Sequence, residues 1–408
     1  MDIIFARQPI LNSFNELYGY ELLFRGNALA VESGAVGGAS FDGEKATAYI
    51  LEVLSSLSIM EITGGARAFV NFTDKLILDG YATLFPPEYL VIEVLETTNP
   101  TPELIETLAQ LKELGYKIAL DDFVYDPKYK ELIELADIFK VEIGMDQKSV
   151  DNLFRVLRLS DTKKCTILAE RVETKEVFDA CTYAGCKLFQ GYYFAKPVTI
   201  SKPSIEMNRV NYIRLITFVN TKDVRFDEIS KVIKNDVALT YKLLTLVNSV
   251  YYSRGNRISD IHQAVVMLGL EDLKKWVSFI SLNNMCSDKP SELVKMSIVR
   301  ANFCSDMAVI TGNQNIKEYY FLVGIFSLLE AMMDTEIQTV LSNVNVPDEV
   351  KDALAGLDND LSRMLNVIKV LEIGNLDMVE VYGAELKCEN DDIMNAYLNS
   401  IKVCNDLL

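Results

Sequence analysis

YLVIEVLETTNPTPELIETLAQLKELGYKIALDDF, residues 89–123, contains a strand, a helix and a second strand in one stretch. YLVIEVLE (89–96) and YKIALDDF (116–123) are short runs rich in Val, Ile and Leu, as strands buried on both faces are. Between them, TPELIETLAQLKELG (101–115) carries Thr101 as a helix cap, Pro102 in the first turn and Gly115 beyond the last. This order predicts a parallel crossover unit. Both strands also hold carboxylates near their ends: Glu93 and Glu96 in the first, Asp121 and Asp122 in the second.

The pattern extends in both directions. IIFARQPI (3–10), LYGYELLFRG (17–26), RAFVNF (67–72), IFKVEI (138–143), CTILAERVE (165–173) and LFQGYYF (188–194) read as further strands. Helical stretches lie between them, among them EKATAYILEVLSSL (44–57) and TKEVFDACTYAG (174–185). Such alternation predicts an α/β barrel over residues 1–200. The first two strands are joined only by the turn around Asn12–Asn15, too short for a parallel crossover, so they should be antiparallel. The expected fold is a modified TIM-type barrel with one antiparallel strand.

Nearly every expected strand carries a polar residue near its C-terminal end: Glu21, Asn71, Glu93, Glu96, Asp121, Asp122, Lys140, Glu170, Glu173 and Gln190. Buried carboxylates are costly unless paired or metal-bound. On successive strands they would converge at the C-terminal mouth of a barrel, where such folds place their chemistry. Dispersed structural ion pairs are the competing reading. The chain has one histidine, His262, which excludes zinc sites built on several histidines and most histidine-based triads. Carboxylate and amide oxygens suit Mg²⁺ or Mn²⁺. With one lysine, they suggest metal-assisted hydrolysis of a phosphoester.

Taken in order, QPI (8–10), YELLFR (20–25), VNFT (70–73), EVLE (93–96), ALDDF (119–123), FKV (139–141), AERVET (169–174) and FQGYYFAKP (189–197) resemble the EAL domain, a cyclic di-GMP phosphodiesterase family. The resemblance implies that Glu21, Asn71, Glu93 and Asp121 bind one divalent ion, Mg²⁺ or Mn²⁺, and that Asp121 and Asp122 help to hold a second. It implies that Lys140 and Glu170 orient and activate the attacking water, with Glu170 as base. Glu173 would be a supporting carboxylate and Gln190 a ligand-side residue; Gln8 and Arg25 would contact the dinucleotide, Arg25 through a phosphate. The implied product is linear pGpG. The chain departs from the family pattern at four places, the mildest being the signature E-A-L, which reads Glu21-Leu22-Leu23. After Asp121-Asp122-Phe123 the usual glycine-rich loop reads VYDPKYKEL (124–132); Glu142 stands for an aspartate; Arg171 stands for a glycine. These departures carry the alternative reading, a non-catalytic dinucleotide sensor or interaction scaffold.

Beyond a linker marked by Pro197 and Pro203 the alternation stops and helical runs dominate residues 201–408. Asp236, Ala238-Leu239, Val247-Asn248-Ser249, Ala264-Val265 and Leu268-Gly269-Leu270 resemble the HDOD domain, a relative of HD phosphohydrolases without their histidine-aspartate site. Where a catalytic relative would carry His-Asp, the chain reads Phe326-Ser327-Leu328-Leu329-Glu330. His262 is expected on a helix surface and Asp236 as a cap. The order of the two domains resembles the YuxH type of bacterial signalling protein. It implies cyclic di-GMP as ligand, a protein partner for the helical domain, and a homodimer. The net charge of −18 argues against a nucleic-acid partner. Scattered cysteines without C-x-x-C, no signal sequence and no apolar run long enough to span a bilayer predict a cytoplasmic protein.

Overall fold

The computed structural model describes residues 3–26, 59–144, 147–195, 207–221, 226–234, 237–247, 258, 260–286, 289–342 and 346–407. The expected helix 44–57 and the expected cap Asp236 lie outside the described residues. Eight strands close a barrel in sequence order: β1 (Ile3–Asn12), β2 (Leu17–Gly26), β3 (Arg67–Phe72), β4 (Leu90–Val94), β5 (Lys117–Leu120), β6 (Ile138–Glu142), β7 (Thr166–Glu170) and β8 (Leu188–Gln190). β1 runs antiparallel to both β2 and β8, and every other neighbouring pair is parallel. The short turn forces this arrangement. Asn12 Oδ1 accepts from Phe14 N and Glu16 N, and Asn15 turns the chain at φ 60°.

Among the described residues, the helices between these strands are α1 (Ile59–Thr63), α2 (Asp74–Leu78), α3 (Pro102–Glu113), α4 (Lys130–Leu135), α5 (Gln147–Lys163) and α6 (Lys175–Ala184). Thr101 caps α3 by accepting from Leu104 N, and Thr174 caps α6 by accepting from Val177 N. Three strands end sooner than their composition suggests. β5 stops before Asp122 (φ 40°), β7 before Arg171 (φ 55°) and β8 before Gly191 (φ 143°). Left-handed or near-mirror backbone cannot continue a ladder, so the apolar residues beyond these points lie outside the sheet.

The remaining chain is helical: α7 (Met207–Val219), α8 (Phe226–Lys234), α9 (Val237–Val247), α10 (Ile261–Leu268), α11 (Leu270–Met285), α12 (Ser291–Ile310), α13 (Lys317–Phe326), α14 (Leu329–Met333), α15 (Ile337–Leu341), α16 (Asp348–Leu354), α17 (Asp360–Glu372), α18 (Leu376–Glu385) and α19 (Asn390–Leu407). The apolar run 319–333 is two helices, not one. No helix among the described residues is long and apolar enough to cross a membrane.

The chain forms two compact units, one of residues 1–196 with 366–405, the other of 197–365 with 406–408. Residues 366–405, read from sequence as part of a single helical domain over 201–408, thus group with the barrel. There, Phe5 N donates to Met394 Sδ at 3.3 Å and the Phe5 ring lies 5.6 Å from that of Tyr397. Asn405 Nδ2 donates to Glu61 O at 2.7 Å.

Candidate active site at the barrel mouth

The barrel interior is built in layers. Ile10, Phe69, Val91, Ala119, Ile138, Leu168 and Leu188 form one buried apolar cluster. Strand side chains repeat every two residues, so the next inward position toward the mouth is fixed by counting. From Phe69 that position is Asn71, from Val91 Glu93, from Ala119 Asp121, from Ile138 Lys140, from Leu168 Glu170 and from Leu188 Gln190. On antiparallel β1 the count runs backward, from Ile10 to Gln8. An apolar layer thus supports a polar one. On β2 the residue two before Glu21 is Gly19, where a β-carbon would meet Arg67 O at 2.7 Å and the Phe69 ring at 3.0 Å. The glycine leaves room for Phe69 beneath Glu21.

Lys140 stands at the centre of the polar layer, 1% exposed. Its Nζ lies 2.6 Å from Asp121 Oδ1, 2.7 Å from Glu93 Oε1, 3.1 Å from Glu21 Oε1 and 3.2 Å from Glu170 Oε1. Gln190 Nε2 donates to Glu21 Oε2 and, at 2.7 Å, to Gln8 Oε1. One ammonium cannot balance four carboxylates, and the titration of the site reflects that. Burial pushes Glu93 well above the usual carboxylate range, against the pull of Lys140 and with the repulsion of Glu21 and Asp121. Burial likewise raises Asp121, again opposed by Lys140. Glu170 is pushed up to about 8, chiefly by burial. Burial works to lower the Lys140 ammonium, but Glu21, Glu93, Glu170 and Asp121 outweigh it and hold the lysine well above its ordinary value.

The donor set suits a divalent cation. Glu21, Glu93 and Asp121 each offer a carboxylate oxygen, all within 4.8 Å of one another. Asn71 Oδ1 and Glu93 Oε2 are buried and, among the described residues, have no hydrogen-bond partner. Buried oxygens are rarely left so. All these donors are hard oxygens, the kind that divalent cations such as Mg²⁺ prefer.

The other expected site residues lie at the rim. Asp122 is exposed just beyond Asp121, its carboxyl raised by burial and by Glu142 and Glu96. Glu173 is exposed beyond β7. Arg25 lies on β2 opposite Ile4, with its side chain outside the described residues. His262 is exposed on α10, as a surface histidine should be.

The EAL domain family matches residues 54–197 and the HDOD domain family residues 208–342. An uncharacterized protein, YuxH, of Bacillus subtilis (strain 168) is 31% identical over 421 aligned residues, covering 100% of this chain and 99% of its own length. The cyclic di-GMP phosphodiesterase CdgJ of Vibrio cholerae serotype O1 is 34% identical, covering 98% of this chain and 92% of its own. The chain belongs to the two-domain EAL–HDOD family of bacterial signalling proteins.

Seen as an EAL–HDOD barrel, the chain's departures from the EAL pattern acquire a geometry. Arg171 stands where the family carries glycine, and its backbone has φ 55°, the region glycine favours. Its side chain turns out to solvent and pairs with Glu142 at 2.8 Å. The Val124–Leu132 segment follows the C-terminal end of β5. With Asp121 and Asp122 it lines a cavity of about 300 Å³. Asn152 on α5 clasps this segment from both sides: Nδ2 donates to Phe123 O at 2.9 Å and Oδ1 accepts from Tyr125 N at 3.2 Å. Tyr129 closes the far end by donating to Glu96 O at 2.9 Å. The sequence reading passed over Asn152. Its partners are 27 and 29 residues away, so no local pattern marks it.

Proposed function

We propose that the chain is a divalent-metal cyclic di-GMP phosphodiesterase that releases linear pGpG. The observation that carries this reading is the ring of four carboxylates around buried Lys140, with partnerless oxygens on Asn71 and Glu93. The likeness to CdgJ over 98% of the chain supports the substrate. Glu21, Asn71, Glu93 and Asp121 would hold Mg²⁺ or Mn²⁺, and Asp122 would help with a second ion. A bound cation supplies charge neutralisation and Lewis acidity. Lys140 holds the carboxylates in register and orients the attacking water. Glu170 would take a proton from that water as its oxygen bonds to phosphorus and the P–O bond to one ribose oxygen breaks, the leaving oxygen taking a proton from solvent. Gln8 and Arg25 bind the dinucleotide, Gln190 holds Gln8 and Glu21 in place, and Glu173 supports from the rim. The helical domain is assigned to protein partners and a homodimer to the assembly.

The test is turnover of cyclic di-GMP in Mg²⁺ and in Mn²⁺, with binding followed in Ca²⁺. Turnover to pGpG that Glu170→Gln reduces about 10²- to 10⁴-fold, while binding survives, is the expected result. Binding without turnover in the wild-type chain would make it a sensor, and neither would leave an interaction scaffold.

A further inference from the structure

β1 and β2 form a hairpin, and a hairpin brings no crossover helix of its own. The last part of the barrel unit reaches this hairpin. α17 ends at Glu372, and Gly374 follows in the left-handed conformation at φ 71°. Gly374 N donates to Leu371 O and Asn375 N to Val370 O, both at 2.9 Å. The Asn375 side chain then accepts from Met378 N and starts α18. Stop and start signals on either side make this a fixed turn. A β-carbon at 374 would overlap Leu23 Cδ1 and lie 3.6 Å from Gln8 Nε2. The left-handed φ favours glycine here, and any other residue would have to push the end of the Leu23 side chain aside.

Leu23 and Gln8 both border the site. Alternation puts Leu23 on the face of β2 that bears Glu21, one step nearer the mouth. Gln8 sits opposite Glu21 across the hairpin. Gln8 also accepts from Gln190, which donates in turn to Glu21, and Glu21 pairs with Lys140. Gln8, which lies beside the Gly374 turn, is therefore linked through Gln190 and Glu21 to the centre of the polar layer. We propose that Gly374 is a positioning residue for the barrel mouth. The glycine turn seats Leu23 and Gln8, and through Gln190 it sets where Glu21 stands to meet a divalent cation and a phosphodiester. The phosphodiester half rests on the proposed phosphodiesterase function; the cation half does not.

The experiment uses the full chain and compares wild type, G374A, L23A, the L23A/G374A double variant and G80A. Gly80 is the control for backbone strain: its φ is 74° and a β-carbon there meets nothing within 4 Å. Mn²⁺ affinity is read by calorimetry without nucleotide, and KM and kcat are read on cyclic di-GMP. G374A should weaken Mn²⁺ and raise KM about tenfold or more, the scale on which shifts of ~1 Å act. G80A should stay within about twofold of wild type, since a β-carbon there touches nothing that leads to the polar layer. The double variant should return to the values of L23A, because the shortened side chain removes the clash. The proposal is overturned if G374A matches G80A, or if L23A gives no recovery. Should G374A not fold, L23A alone decides: removing the side chain beside the turn should shift KM and Mn²⁺ affinity the same way but by only about two- to threefold, well short of the G374A effect, and unchanged values overturn the proposal. A wild-type chain that takes Mn²⁺ but not cyclic di-GMP sinks the phosphodiesterase reading, and the Mn²⁺ series still decides this one. A chain that takes neither overturns both.

Discussion

Buried charge is arranged differently in the two units of this protein. In the barrel, Glu21, Glu93, Asp121 and Glu170 all converge on Lys140. In the helical unit the buried and half-buried polar groups are scattered, and several pair locally. Arg300 donates to Ser327 Oγ at 3.0 Å, Lys289 pairs with Asp334 at 2.6 Å, and Glu330 accepts from Ile337 N at 2.8 Å. The only group of metal-ligating side chains among the described residues is in the barrel. Scattered pairs hold elements together. A surplus of like charge, held in one place by the strands around it, is costly without a ligand to meet it. The contrast singles out the barrel mouth as the place where buried carboxylates gather around one cation.

The sharpest way to break this contrast is to remove one buried cation from each unit. Lys140→Met leaves four carboxylates facing one another. Loss of one partner from a buried pair typically costs ~3–5 kcal/mol. Urea denaturation of the metal-free protein should show a loss of that order, and added Mg²⁺ or Mn²⁺ should recover part of it. Arg300→Met deprives Ser327 of one donor and should cost ~1–3 kcal/mol. Divalent cations should leave that loss unchanged. Equal costs, or equal recovery by metal, would erase the distinction between the units.

Acidity probes the same surplus. Glu170 has its pKa raised from 4.5 to about 8, with burial as the main cause. The folded state therefore holds a proton that the unfolded chain releases above about pH 4.5. More protons bound in the folded state means that stability falls as pH rises. Protein stripped of divalent cations should lose Tm between about pH 5 and pH 8, the window between the two pKa values. Saturating Mg²⁺ should flatten the profile, because the cation takes over the role of the proton. A profile that is flat without metal would mean that the carboxylates are already balanced.

Most of the site was legible because strands count in twos. Asn71, Glu93, Asp121, Lys140, Glu170 and Gln190 each stand two residues after an apolar core position, so polar residues near strand ends marked one inward layer. The antiparallel β1 was legible from the short turn at Asn12–Asn15. Three features lay beyond local pattern. Asp122, Arg171 and Gly191 end their strands through backbone conformation, while the apolar composition runs on past them. Asn152 reaches its partners across 27 and 29 residues. The packing of Met394 on Phe5 spans 389 residues. Such contacts are set by closure of the whole barrel, and helical periodicity near residue 394 says only that a helix is there.

The smallest expected effect concerns the departure that looked most disruptive. Arg171 adds a charged side chain next to Glu170, where the EAL pattern has glycine. In the structure it adopts φ 55° and turns away to Glu142. Arg171→Gly has two opposing consequences for stability. Glycine relieves a left-handed strain of ~1 kcal/mol, the usual scale for a residue with a β-carbon in that region. It also loses an ion pair between two exposed side chains, worth ~0–1 kcal/mol. The two nearly cancel, and the variant should lie within ~1 kcal/mol of wild type by urea denaturation. Turnover should change by less than about tenfold, since the side chain makes no contact with the carboxylate ring. A large gain in turnover would instead show that the arginine restrains Glu170 through the backbone they share, and would turn a surface substitution into a brake on the site.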